Sequence, residues 1–304
     1  MTRNKPKTSS NPQGCATPKT RSNPVRTIAA LVIMALGACC LAYPIMAQWR
    51  SARYERTVAN DYLESSARMQ AQEHDRLLAA AQTYNTRVRQ GLTPQANISD
   101  ESFLSDDDYM NQLSDGGVMA ALSIPKISVQ LPIYHGTGES SLSVGAGHLY
   151  GTSLPIGGPG TNSVIAGHRG LPDALIFTRL NELTQGDTFF IDVLGERHWY
   201  QVDATWVVDP DDVSHFGIEG DADYVTLLTC TPYGINTQRL LVRGKRIPAP
   251  DSVQQDHGFY PAGSYGIAVG MMCAVLGVVS IALWRRRADG RCPRHRAADG
   301  ARTS

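Results

Sequence analysis

The chain is nearly without cysteine where a disulfide could form. Of its six cysteines, Cys39, Cys40 and Cys273 fall in uncharged apolar stretches and Cys15 and Cys292 in basic tails, leaving Cys230 alone in the polar region between. A lone thiol in an exported domain has no intrachain partner, so Cys230 is read as a thiol that is there to react. HExxH, P-loop and paired CxxC motifs are also missing, so nothing in the chain calls for a metal, ATP or any other cofactor. No internal repeat is present, and the only low-complexity bias lies in the basic tails.

Charge is absent from residues 27–47, TIAALVIMALGACCLAYPIMA, and equally from the run 262–284, AGSYGIAVGMMCAVLGVVSIALW. At about 1.5 Å per residue each run reaches roughly 30 Å as a helix, the thickness of a bilayer hydrocarbon core. The first 26 residues carry six Lys or Arg and no acid, and residues 285–304 carry seven Arg against Asp289 and Asp299. The positive-inside rule therefore predicts two transmembrane helices, both tails cytoplasmic, and residues 48–261 outside the cell membrane. A cleaved signal peptide is the alternative for the first run. The run exceeds the ~7–15 apolar residues of a signal h-region, and no A-x-A site follows it.

The formal charge of zero hides an uneven distribution. Taking the tails' 13 basic and 2 acidic residues from the chain's 28 of each leaves 15 basic and 26 acidic, a charge of −11. Such an acidic outer region argues against a nucleic-acid partner.

Within that region residues 50–90 lack Gly and Pro and place Tyr54, Val58, Tyr62, Leu63, Leu77, Leu78 and Ala81 at helical spacing, predicting one long helix or a helical pair. Residues 91–117 turn polar and acidic, as a loop does. Beyond Val118 short β-branched runs alternate with Gly, Pro, Asn and Asp clusters. Strands are predicted at 120–124, 131–135, 163–166, 188–193, 197–208, 224–230 and 239–246, with one short helix over 174–183. About seven strands in some 130 residues point to a mainly β fold, a closed or nearly closed barrel.

A thiol attacks as thiolate and builds negative charge on the carbonyl it attacks, so Cys230 needs a basic neighbour and a donor for that charge. Arg239 opens the strand after Cys230, and antiparallel pairing would return it beside the thiol. Arg243 shares its face by the period-two rule, so spacing does not separate them. His168, in AGHRG at a strand end, is a candidate base or proton donor. His135 in YHGTG and His148 in GAGHLYG sit in equally Gly-rich surroundings. Each residue alone also has an ordinary structural reading, as a small buried hydrophobe, a hydrogen-bonded histidine or an edge-strand charge.

The runs TLLTCTPYGINTQRLLVRG, NSVIAGHRGLPDALIFTRLNELTQGDTFFI, LPIYHGTGESSLSVGAGHLYGTSLPIGG and LSIPKI closely resemble the sortases, in particular the class C, pilin-polymerising group. The likeness runs from Val118 to about Ile247, and the helical stretch and second apolar run extend it more weakly. It implies a sortase-type closed eight-stranded β-barrel with short helices and a cysteine transpeptidase active without cofactor. Matched by motif, Cys230 is the nucleophile, His168 the histidine and Arg239 the arginine. Thr229, just before Cys230, is a candidate supporting donor near the oxyanion or substrate, and as a strand Thr it is equally explained by β-propensity. The implied substrates are pilin or surface proteins with LPXTG-like sorting signals, cleaved between Thr and Gly. A pilin lysine amine is the implied acceptor, and water as acceptor would give hydrolysis.

Class C sortases commonly carry a lid with an Asp-Pro-aromatic motif ahead of the barrel. Residues 98–117, ISDESFLSDDDYMNQLSDGG, have no such pair, and the only Asp-Pro, Asp209-Pro210, lies downstream of His168. Phe103 and Tyr109 are the lid candidates in its place. The missing motif keeps a housekeeping, wall-anchoring sortase in view, and a non-catalytic membrane-tethered binding scaffold is the reading from a different class. The expected organisation is a tail (1–26), membrane helix (27–47), helical region (48–92), acidic linker or lid (93–117) and catalytic barrel (118–250). A linker (251–261), second membrane helix (262–284) and tail (285–304) follow.

Overall fold

The computed structural model describes residues 24–96 and 102–250. The second predicted membrane segment and both tails' outer parts lie outside the described residues. The chain divides into two compact units, Met1–Leu41 and Ala42–Ser304.

In the first unit the described residues are the apolar start of a long helix, α1 (Pro24–Ala67), with Val32, Ile33 and Leu36 exposed. Among the described residues α1 alone is long and apolar enough to cross a membrane.

In the second unit the remainder of α1 is followed by α2 (Ala71–Arg89), so the Gly- and Pro-free stretch is a helical pair. Both helices dock by polar side chains on apolar faces. Tyr62 on α1 is buried, donates its hydroxyl to the Met119 carbonyl at 3.0 Å and accepts the Leu194 amide at 3.1 Å. Asn85 on α2 satisfies both polar groups of Leu154, with bonds of 3.2 and 2.7 Å. Such paired bonds fix where a helix sits, because an orphaned buried amide is costly. A 3-10 turn (Ser102–Ser105) and a one-turn helix, α3 (Asp107–Met110), then lead into the barrel. Asp106 caps α3 by accepting the Tyr109 amide.

Eight strands follow: β1 (Val118–Ile124), β2 (Val129–His135), β3 (Ala146–His148), β4 (Thr161–Ala166), β5 (Thr188–Val193), β6 (Glu196–Val208), β7 (Asp223–Thr231) and β8 (Gln238–Ile247). They close in the order β1-β2-β3-β4-β7-β8-β6-β5. The β2/β3 and β4/β7 pairs are parallel and the rest antiparallel. β4 is buried along its whole length, as expected of a strand flanked by neighbours and covered on both faces. The one-turn helix α4 (Glu139–Leu142) lies in the β2–β3 crossover.

Two expectations are corrected. The predicted helix over 174–183 is a run of turns ending in a 3-10 turn at Leu180–Glu182, with Ile176 at φ +31°, outside helical space. The three-residue β3 was not expected, being too short and Gly-rich to show alternation.

Residues of alternating parity fill two regions. Val225 and Leu227 of β7 join Ile165, Val202, Phe189, Leu240 and Val242 in the barrel interior. Leu228 of β7 faces the other way, into a smaller cluster with Leu149, Val164, Ala166, Phe216 and Leu241. Cys230, two residues beyond Leu228, falls on this second face.

Candidate functional site

β7 and β8 pair in register, and Cys230 lies directly opposite Arg239. Directly opposed residues share a face with their Cβ atoms about 4.5–5.5 Å apart, so the thiol and the guanidinium stem are neighbours. β4 runs parallel to β7 with a constant offset, Thr161 opposite Asp223 through Ala166 opposite Leu228. Continued two residues past the strand end, that offset brings His168 level with Cys230. The continuation is physical, since the Gly167 amide donates to the Leu228 carbonyl at 3.0 Å. Thiol, imidazole and guanidinium are thus brought level where β4 and β7 end and β8 begins.

Cys230, His168 and Arg239 are all partly exposed. His168 Nε2 lies 3.3 Å from a Glu139 carboxylate oxygen at the start of α4. Arg239 bonds only to the carbonyls of Asn236 and Gln238 and makes no ion pair among the described residues.

The rival residues are committed elsewhere. Arg243 is buried, paired through two nitrogens to Asp203 and through a third to Glu219, and stacked on Tyr224. His148 is fully buried, with Nε2 donating to the Ser153 carbonyl at 2.8 Å and Nδ1 2.9 Å from the Tyr109 hydroxyl. Burial holds it down to about 4, with Ser153 opposing, so it stays a neutral structural imidazole near neutral pH. His135 is likewise lowered by burial and donates to the Gln112 carbonyl at 2.8 Å.

Thr229 is turned into the fold. It points to the opposite face from Cys230, is 2% exposed, and its hydroxyl donates to the Gly167 carbonyl at 2.7 Å. Its place is under the strand end that carries His168.

The lid candidates Phe103 and Tyr109 both pack against the barrel. Both are buried in a group of rings with Tyr84, Tyr150, His135 and His148. Gly136, at φ +70°, has no side chain because the Phe103 ring fills the space a Cβ would occupy. His135, beside it, aligns with His148, Ile165 and Leu227 on successive strands. At ~4.8 Å per strand spacing this puts the ring cluster roughly 14 Å of sheet away from β7. These rings anchor residues 102–110 to the barrel wall.

Spacing arguments missed Glu139, Arg169 and Thr231, which contact or flank the site. Arg169 and Thr231 were in view, next to His168 and Cys230, but a side-chain hydrogen bond between residues 62 apart has no signature in a single sequence.

This arrangement can activate a thiol, hold a charged acyl oxygen and pass a proton to a leaving amine. The Sortase domain family matches residues 122–247. Sortase D of Bacillus subtilis (strain 168) is 31% identical over 135 residues, 43% of this chain and 65% of that protein. Sortase A of Listeria monocytogenes is 27% identical over 128 residues, 42% of this chain and 56% of that protein. The chain thus matches less than two thirds of the length of these curated relatives. Among solved structures, sortase C1 from Streptococcus agalactiae has a TM-score of 0.59 at 41% identity, covering 64% of this chain and 100% of that one. Sortase C-1 from Actinomyces oris has a TM-score of 0.54 at 43% identity, covering 58% of this chain and 99% of that one. With a closed eight-stranded barrel, a matching domain and near-complete coverage of solved relatives, the chain belongs to the sortase family.

Proposed function

We propose that this protein is a membrane-anchored cysteine transpeptidase that cleaves LPXTG-like sorting signals between Thr and Gly and transfers the acyl group to a lysine amine of a pilin. The observation that supports it most is the direct pairing of Cys230 with Arg239, with His168 level on the adjoining strand. The solved neighbours named sortase C support the pilus-type reading over general surface-protein anchoring.

In this reading the Cys230 thiolate attacks the Thr carbonyl of the sorting signal. Arg239 hydrogen-bonds the oxygen as it becomes negative, which matters most at the transition state. His168 as imidazolium then protonates the leaving Gly amine, and a thioester remains on Cys230. A neutral lysine amine attacks that thioester, gives its proton to His168 and leaves with the acyl group as an isopeptide. Water in its place would release the free acid. The thioester conserves the energy of the broken peptide bond, so no cofactor is required.

The apolar start of α1 is read as the N-terminal anchor, and the apolar run 262–284 as a second span that returns the chain to the cytoplasmic side. The barrel then works outside the membrane on substrates that are themselves tethered there.

The test is to incubate the full chain in detergent with an LPXTG-type peptide and a lysine-containing peptide, and to analyse the products by mass spectrometry. A ligated isopeptide product that disappears in Cys230→Ala and persists in Cys273→Ala is expected. Binding of the peptide with neither ligation nor cleavage would replace this reading with that of a binding scaffold.

A further inference from the structure

The residues on either side of His168 are tied to the residues on either side of Cys230. On one side the Thr229 hydroxyl donates to the Gly167 carbonyl at 2.7 Å. On the other, Arg169 Nη1 donates to the Thr231 hydroxyl at 3.0 Å. Both ties therefore bracket the pair on which the proposed chemistry depends, and neither involves the reacting side chains.

Arg169 does more than close this bracket. Its Nη2 donates to the Asn181 side-chain oxygen at 2.8 Å and its Nε to the Thr178 carbonyl at 3.3 Å. One planar guanidinium thus reaches two separate segments at three points, the end of β7 and two points of the 178–181 turn, a geometry its fixed fork of donors suits and an ammonium cannot copy. All three acceptors are neutral, and Arg169 makes no ion pair among the described residues. A carboxylate is the ordinary partner for a half-buried Arg, so its use on neutral groups beside a thiol is notable chemistry.

The backbone of the turn is pinned at every other point. The His168 carbonyl accepts the Phe177 amide at 3.0 Å, and the Gly170 amide donates to the Thr178 hydroxyl at 3.3 Å. Gly170 takes φ +85°, a left-handed conformation that glycine adopts without cost, and the Tyr233 ring packs over it. Gly167 is already tied to β7 through Leu228 and Thr229, and the link from Arg169 to Thr231 is the tie on the other side of His168.

We propose that Arg169 is a positioning residue for the transpeptidase: through Thr231 it locks the His168 turn in register with the end of β7, so that imidazole and thiol meet. This rests on the proposed function above, but the lock can be read without substrate. A misplacement of about 1 Å at a reacting pair can cost up to ~100-fold in rate while leaving binding intact. The loss should therefore fall on kcat and not on KM.

The experiment compares the full chain in detergent with Thr231→Val, which keeps the side chain's shape and removes the acceptor, Thr231→Ser, which restores it, and Arg169→Gln. Three quantities are measured: kcat and KM for thioacyl transfer from an LPXTG-type peptide, the rate of Cys230 alkylation by iodoacetamide at pH 7, and the unfolding midpoint. The expected result is a kcat lowered ten-fold or more in Thr231→Val and Arg169→Gln with KM within two-fold. Alkylation should slow several-fold, and Thr231→Ser should recover most of both rates. Unchanged rates in both variants would overturn the proposal, as would losses that track the unfolded fraction and are not recovered by Ser. If the wild-type chain transfers nothing, the transpeptidase reading fails; the alkylation rates, which need no substrate, then decide the lock alone by the same criteria.

Discussion

Removing one hydroxyl, in Tyr109→Phe, separates an anchored segment from a mobile lid. The Tyr109 ring is fully buried, and its oxygen accepts the Gly136 amide at 3.0 Å and lies 2.9 Å from His148 Nδ1. Phe keeps the ring and its packing, so the change isolates the polar contacts. It leaves a buried amide and a buried imidazole nitrogen without their partner, each costing about 1–3 kcal/mol. Loss of both therefore costs about 2–6 kcal/mol, which in a domain of this size lowers the melting temperature by roughly 4–24 °C. Thermal unfolding of the full chain in detergent, followed by the fluorescence of barrel residues such as the buried Trp199, reads this directly. Because the ring lies some three strands from β7, the rate of Cys230 alkylation in the folded protein should stay within two-fold. An unchanged melting temperature together with faster alkylation would refute the reasoning and return Tyr109 to the role of a cover.

Other outcomes follow from the same packing. Gly136→Ala forces a Cβ into the Phe103 ring and an L-residue into φ +70°, so a loss of about 2–4 kcal/mol is expected in urea unfolding; a wild-type midpoint would contradict the packing there. Acid should weaken the fold well before its carboxylates titrate. His148 is held by burial to about 4, and His198, buried and beside the Arg246 charge, also to about 4. Both folded values lie below the ordinary 6.5, so the unfolded chain takes up protons first as the pH drops. This contribution, about 3 kcal/mol for His148 by the usual conversion, is fully present above pH 6.5 and is lost progressively toward pH 4. The urea midpoint should fall between pH 7 and 5. Glu55 and Asp223, raised by burial, act in the opposite sense. A midpoint that is flat from pH 7 to 5 would show that the histidines are not buried as described.

How much of this was legible before any coordinates depends on the length over which a pattern repeats. The helical pair and seven of the eight strands carry runs long enough for their period to show, and the break between the helices falls at Arg68–Gln70 without Gly or Pro to mark it. β3 is three residues of Ala, Gly and His, and no period can be read from it. The 174–183 segment has helix-forming composition, but its Phe177 and Leu180 are buried singly from turns, a tertiary choice that propensity does not encode. At the site, spacing could place Arg239 and Arg243 on one face and find three histidines in glycine-rich loops, but could not rank them. Burial ranks them: Arg243, His135 and His148 have their hydrogen-bonding capacity used inside the fold, whereas Arg239 and His168 keep an exposed edge beside Cys230. The roles first given to Thr229, Phe103 and Tyr109 came from sequence position alone. Position does not say which face a side chain takes, and all three turn inward.

The most direct test of the central claim is intact-mass and peptide-mapping spectrometry of the full chain after brief incubation with an LPXTG-type peptide and no amine. The account predicts one added acyl group, the peptide up to its Thr, on Cys230 in the wild type, its accumulation reduced in His168→Ala and Arg239→Ala, and none in Cys230→Ala. An adduct on another residue, or turnover of the peptide that survives Cys230→Ala, would contradict it.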